Sequence, residues 1–486
     1  MRPTVKFLEQ ELLERIVTEA RDILCKLGVE IHNPGVLSLL ADHGARVDSE
    51  TSRAYVTEDI IDKALQTVTA GFKLYDVHGE QTHDLSGNNV HFTPGSAAIS
   101  FLEHGEDDVR APTTADYVRY VKVVSQLDNI ASQSTSMVPS DVHQSISDSY
   151  RLFLGLTYGH KPVVTGAFTI DSLAVMRELQ LAVRGSREQL AAKPLTIFSC
   201  CPTAPLKWSD VTSQNVVDCA EYSIPVEYIS MPLSGFVSPV TLVGTLVQHT
   251  AETLSGIVIS QLAKPGTPAL YGGSPAVFDM RYETTPMGAV ETMMIDCAYN
   301  EIGKYFGMPT QAYMGMSDSK QLDAQTGLES SMGATLAALA GMNNISGPGM
   351  MDFESCFSLE KLVVDNEICG MTSRLVAGIE PKEDFPALER FQELLRDNHL
   401  LISDHTRKHL RNEHYMPGPA IDRANRSRWR EEGHRTLGER ANAEVERLVS
   451  GYQPTSLSQE IKTDLTKLMM DEAKRYGMDT LPHEGL

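Results

Sequence analysis

The chain has no surplus of positive charge: 64 Asp and Glu stand against 42 Lys and Arg in 486 residues, a formal charge of −22. A protein that grips a nucleic-acid backbone needs a basic face, so no nucleic-acid partner is expected. No uninterrupted apolar run reaches the roughly 18 residues of a membrane-spanning helix, so no membrane partner is expected either. Met1 to Ala20 is charged and helical in pattern, without the basic and then apolar segments of a signal peptide, and the expected location is cytoplasmic. Seven cysteines, Cys25, Cys200, Cys201, Cys219, Cys297, Cys356 and Cys369, are too few and too scattered for a disulfide framework. CxxC and HExxH are both missing, and the adjacent Cys200 and Cys201 would face opposite sides of a strand, so no metal site is expected. GxGxxG and GxxxxGK[ST] are missing as well, which speaks against the usual dinucleotide and nucleotide loops.

What is present is an ordinary folded composition, 42% hydrophobic and 22% charged, with ample material for a core. Leu12, Ile16, Ala20, Ile23 and Leu27 recur at helical spacing and Gly28 supplies a stop. This opens a small N-terminal α+β region, residues 1–89, with a second helix over Glu58 to Val68 and a strand over Phe72 to Val77. From residue 90 the text turns regular, with short apolar runs alternating with longer amphipathic segments, the sign of βα units. The expected strands are Val90 to Ile99, Ile130 to Val138, Pro162 to Phe168, Leu195 to Cys201, Pro225 to Met231, Pro268 to Gly273, Pro309 to Gly315 and Asn343 to Gly347. Ser238 with Pro239, and Thr285 with Pro286, read as helix starts, and Asp318 with Gln321 as a capping box. Eight units over about 260 residues match a (β/α)8 barrel spanning 90–378. The remainder, 379–486, rich in Arg, Glu and His, reads as a C-terminal helical extension packed on the barrel, with helices such as Ala387 to Arg396 and Leu437 to Val449.

In a (β/α)8 barrel the active site sits where the strands end. The ends here, among them Ser96, Ser134, Thr165, Ser199, Ser230, Tyr271 and Tyr313, are hydroxyls and small residues with few acids, bases or metal ligands. The loop after the sixth strand is the richest in chemistry: Tyr271, Gly272, Gly273, Phe278, Asp279, Arg281 and Tyr282. Aromatic faces attract a quaternary ammonium and Arg clamps a carboxylate, a mixture suited to a zwitterion. A surface Asp279–Arg281 ion pair beside core aromatics explains the same residues. His249 reads as a packed histidine, Asp318 as a cap, and Cys200 as an inert buried thiol.

Three segments, SPVTLVGTLVQHTAETLSG (Ser238 to Gly256), TPALYGGSPAVFDMR (Thr267 to Arg281) and SDSKQLDAQTGLESSMGATLAALAGMN (Ser317 to Asn343), resemble the trimethylamine methyltransferase family. So does LCKLGVEIHNPGVLSLLADHGARVD (Leu24 to Asp48). The resemblance implies a barrel that moves a methyl group from a methylated amine to the cobalt of a corrinoid (cobalamin) carried by a separate partner protein. Founding members carry pyrrolysine, whereas every residue here is standard, which points to the non-pyrrolysine branch acting on glycine betaine and related quaternary amines. A quaternary ammonium loses a neutral tertiary amine, so transfer to Co(I) needs binding, orientation and desolvation and no general acid. No catalytic side chain is therefore named. Tyr271, Phe278 and Tyr313 are the expected ammonium pocket, with Phe353 and Phe357 in reserve; Gly272, Gly273 and Arg281 would receive a carboxylate, and Asp279 would complement the ammonium or hold Arg281. Two other readings stay open, a metal-dependent barrel methyltransferase with another donor and a non-catalytic betaine-binding barrel, as does assembly into a homo-oligomer.

Overall fold

The computed structural model describes residues 2–454 and 457–482. Eight short strands alternate with eight helices in its central part: β1 (His91–Thr93), α1 (Thr114–Val124), β2 (Gln133–Ser134), α2 (Ser147–Tyr158), β3 (Val163–Thr165), α3 (Ile170–Arg184), β4 (Thr196–Cys200) and α4 (Asp210–Tyr222) form the first half. The second half is β5 (Val226–Ser230), α5 (Leu242–Ala263), β6 (Ala269–Gly273), α6 (Val290–Tyr305), β7 (Gln311–Tyr313), α7 (Ala324–Ala340), β8 (Asn344–Ser346) and α8 (Leu359–Val376). Every expected strand is present, trimmed at its ends.

β2 to β6 form one parallel run and β7, β8 and β1 a second. The runs meet at two seams. At one, Tyr271 of β6 bridges Thr310 in parallel and its N–H donates to Pro309 O at 2.9 Å. At the other, Ala131 N donates to Phe92 O at 3.0 Å, and Ala98 bridges Met137. β4 and β6 are buried almost throughout, as parallel strands covered on both faces must be. β5 is buried too, although its sequence VEYIS carries a glutamate.

Helix starts depart from the expected ones. α5 begins at Leu242 with Thr241 as its cap, three residues past Pro239, and α6 begins at Val290, well past Pro286. Asp318 does not cap α7; Asp323 does, in a capping box with Thr326. Asp318 instead accepts from Met287 N and Gly288 N, at 3.0 and 2.8 Å, tying down the loop before α6. α7 lies so close to β7 that a Cβ on Gly333 would stand 2.0 Å from Met314 O.

The N-terminal ends of the strands are covered by a hairpin, Lys73–Tyr75 with Gln81–Asp84. Leu74 and Leu85 are buried there against Val164, Ile197 and Leu270, with Phe72 beside them. Helix Gln10–Lys26 packs on α5. At the other end of the chain, Leu437–Gly451 packs on α8 and α1, and Gln459–Arg475 on α3 and α2, each through its own buried stripe such as Leu465, Met469 and Ala473. The stretch between differs: helices Leu388–Asp397 and Asp404–Glu413 bury no residue, and Ile379, Phe385, Leu388, Leu395 and Leu401 are largely exposed. No helix among the described residues is long and apolar enough to cross a membrane.

Candidate functional site

Side chains on a strand alternate between its two faces, and in β5 this alternation turns Glu227 toward the space between the two parallel runs. Its Oε1 accepts from Ser199 Oγ of neighbouring β4 at 2.7 Å, and its Oε2 from Asn344 Nδ2 of β8 at 3.3 Å. The second contact joins strands of different runs, so the two inner faces confront each other. Thr93 Oγ1 donates to Asn344 Oδ1 at 2.8 Å, and Thr93 also bonds Ser132. Gly272 leaves room on this face: a Cβ there would sit 2.5 Å from Gln311 Oε1, which accepts from Gly273 N at 3.2 Å.

Toward the C-terminal ends of the strands stands Tyr313, buried, with Ser96 as a hydrogen-bond partner. Glu354 joins it from the short hairpin Met350–Met351 and Cys356–Phe357 after β8. The turn of this hairpin holds Asp352, Phe353 and Glu354 at φ 48°, 55° and 69°. Left-handed geometry disfavours an L-residue by roughly 1–2 kcal/mol, so three in succession persist only when their surroundings enforce them. Oε1 of Glu354 is sealed from solvent and, among the described residues, has no hydrogen-bond partner.

Burial pushes the Glu227 carboxyl up to about 7, against the pull of its bonds from Ser199 and Asn344. Burial, reinforced by the charge of Glu227, pushes Glu354 up to about 8. Tyr313 is raised by burial and by both carboxyls, and Cys201, which faces both, is lifted to about 12 by burial first. Among the described residues, no lysine or arginine acts on either glutamate. The result is a sheltered pair of carboxyls without a cation. Ionising both beside each other is costly unless a positive charge arrives.

The expected site residues fall into separate places. Tyr313 lies beside the two glutamates, and Phe353 adjoins Glu354 at the hairpin turn, with the Lys320 ammonium 3.8 Å from its ring centroid. Tyr271 faces the helices instead: its OH donates to Thr250 Oγ1 at 3.2 Å, and its ring neighbours His249, Tyr299 and Phe306. Gly273 turns the same way, its missing Cβ making room for the His249 ring. His249 is a packed histidine, stacked on Tyr299 at 4.3 Å with Nε2 on Gly272 O. Phe278 stacks on Phe236 at 4.9 Å. Arg281 is 79% exposed and forks onto Asp279 at 2.6 and 3.0 Å, a surface ion pair. Phe357 is buried edge-on against Tyr120. The thiol of Cys200 is buried and pushed far up.

Glu227 and Glu354 were not among the expected residues. A signal for Glu227 exists, since one acid inside an otherwise apolar buried strand needs an explanation. Glu354 has no such signal, because only the left-handed turn carries it inward between two phenylalanines that drew attention to themselves.

A polar interior between parallel strands of alternating βα units is an architecture shared by many chemistries, and relatives narrow the choice. The chain is 28% identical over 472 residues to a trimethylamine methyltransferase of Desulfitobacterium hafniense, covering 97% of this chain and 95% of that protein. It is 27% identical over 477 residues, 98% of each chain, to a glycine betaine methyltransferase of the same species. A trimethylamine methyltransferase of Methanosarcina thermophila is 30% identical over 465 residues, 94% of this chain and 95% of that one. Among solved structures, the monomethylamine methyltransferase of Methanosarcina barkeri shares the fold at a TM-score of 0.52 and 11% identity, over 97% of this chain and 88% of that one. The family model of trimethylamine methyltransferase (MTTB) matches residues 1–477. From its first helix to its last, then, this chain is a methyltransferase and belongs to the trimethylamine methyltransferase family.

Proposed function

We propose that the protein takes a methyl group from a quaternary amine of the glycine betaine type and passes it to the Co(I) centre of a corrinoid carried by a separate protein. The observation that carries this reading is the pair beside Tyr313, fully buried Glu227 and part-buried Glu354 with its Oε1 sealed, on which no lysine or arginine among the described residues acts. A permanent cation satisfies such a pair, and the tyrosine ring adds attraction of about 0.5–2 kcal/mol. We also take the eight strands to close as one (β/α)8 barrel, with 1–89 and 379–486 packed around it. The seams at Tyr271–Thr310 and Ala131–Phe92 support that closure.

In the transfer, the N–CH3 bond breaks with its electron pair staying on nitrogen, which leaves as a neutral tertiary amine. Co(I) supplies the pair that forms the new bond to carbon. No proton has to be delivered to the leaving group, so the protein's task is to hold the ammonium with one methyl directed outward and to exclude water. Ile99, Phe168, Phe236 and Met280, which follow β1, β3, β5 and β6, expose apolar side chains around the C-terminal ends of the strands. Such a rim suits the approach of a large macrocycle on its carrier.

The test is a methyl-transfer assay with Co(I) cobalamin against glycine betaine, carnitine, choline and trimethylamine. Quaternary amines are expected to be demethylated and trimethylamine spared, since the chain has no pyrrolysine to capture a tertiary amine. Equal turnover of trimethylamine would overturn the reading.

A further inference from the structure

We propose that Glu227 and Glu354 divide a zwitterionic substrate between them: Glu227, as the carboxylate, faces the quaternary ammonium, while Glu354, as the neutral acid, donates its O–H to the substrate's carboxylate. This rests on the quaternary-amine reading above and assigns each end of the substrate to one side chain.

The asymmetry is in the hydrogen bonds. Both oxygens of Glu227 accept one, from Ser199 and from Asn344, and such bonds favour the anion. Glu354 receives none at its sealed Oε1, and the charge of Glu227 opposes its ionisation. Of two neighbouring carboxyls in unlike surroundings, the better hydrogen-bonded one ionises and the other keeps its proton. Burial lifts them to about 7 and about 8 in that order. The other titratable groups around them, Tyr299, Tyr313, Cys200 and Cys201, are all raised and hold their protons.

A substrate carboxylate also needs a donor, and the nearby basic residues are engaged. Arg281 is bound to Asp279 on the surface. Arg151 is buried, held by Asp148 at 2.7 Å and by Thr135 O at 2.9 Å. Lys320 lies on the outer side of the hairpin turn, donating to Asp318 O at 2.7 Å and paired with Asp352 at 3.4 Å. A protonated carboxyl is the strong donor left, and an O–H to a carboxylate is charge-assisted.

The experiment is calorimetric binding of glycine betaine and of choline to the full chain between pH 5.5 and 9.5. Both ligands are expected to lose affinity below about 7 as Glu227 takes up a proton, approaching tenfold per pH unit. Betaine alone is expected to weaken above about 8, because Glu354 then ionises and repels its carboxylate; choline has no carboxylate and shows no alkaline loss. Glu354→Leu should weaken betaine at least about tenfold and choline less than about threefold. Glu354→Gln, whose amide still donates, should recover most of that loss and remove the alkaline limb. Parallel pH profiles for the two ligands, or equal behaviour of the Gln and Leu variants, would overturn the division of labour while leaving the quaternary-amine reading intact. If Glu354→Leu does not fold, the comparison of ligands on the unaltered protein decides alone. If neither ligand binds the unaltered protein, both readings fall.

Discussion

Tyr271 and Tyr313 stand near the ends of adjacent strands, yet they face opposite ways. Tyr271 is paired with Thr310, an odd number of residues from Tyr313, and a strand changes face at every step. Tyr313→Leu is therefore expected to weaken quaternary-amine binding about 2- to 30-fold, the value of one ammonium–ring contact. Tyr271→Phe should leave that affinity alone and lower stability by about 1 kcal/mol through its lost bond to Thr250. Binding isotherms and urea titrations on the two variants check both statements. Lys161 offers a different case: its buried ammonium donates to the carbonyls of Val124, Leu127 and Ile130 at 2.8, 2.6 and 2.6 Å. Lys161→Met strips three buried carbonyls of their donor, at about 1–3 kcal/mol each, and should cost at least about 3 kcal/mol in a denaturation experiment. A gain in stability would mean those carbonyls find other partners.

At the scale of elements, the fit of helix to strand decides outcomes that propensity misses. Alanine favours a helix over glycine by about 1 kcal/mol, so Gly333→Ala in the middle of α7 would be stabilising on local grounds. The carbonyl of Met314 stands where the new methyl would go, and backbone cannot swing aside as a side chain can. Gly333→Ala is expected to destabilise by about 1–3 kcal/mol, read as a lower melting temperature. The same contrast between local and tertiary signals explains what could be read from the sequence. Strand positions were legible because buried parallel strands concentrate apolar residues, and the helix Gln10–Lys26 stops just before Gly28, the stop expected there. Helix starts were less so: Ser238–Pro239 and Thr285–Pro286 carry start chemistry, but the chain spends those residues on the loops above β5 and β6 before α5 and α6 begin. Of the proposed site, Tyr313 and Phe353 were named from the sequence and Glu227 and Glu354 were not, since strand-end logic looks past mid-strand acids and cannot anticipate a left-handed turn.

The molecule as a whole is unevenly held. Its central βα units and the flanking helices Gln10–Lys26, Leu437–Gly451 and Gln459–Arg475 all bury apolar stripes, whereas Leu388–Asp397 and Asp404–Glu413 bury nothing. Segments with so little burial open at low free-energy cost, so limited proteolysis should nick residues 379–416 first and leave the two sides associated. First cleavage within α5 or α8 would contradict this. The hairpin carrying Leu74 and Leu85 has a further consequence for traffic. It plugs the N-terminal ends of the strands with packed side chains, and no solvent passage is compatible with Leu74, Leu85, Val164, Ile197 and Leu270 in mutual contact. With the strands closed as one barrel, as proposed, that stopper leaves one doorway, and the methyl acceptor of the proposed reaction has to stand in it. The demethylated amine is then trapped until the acceptor departs, so turnover is obligatorily ordered: amine first in, carrier second in, carrier first out, amine last out. In steady-state kinetics the tertiary amine should accordingly inhibit competitively against the quaternary amine and not against the carrier.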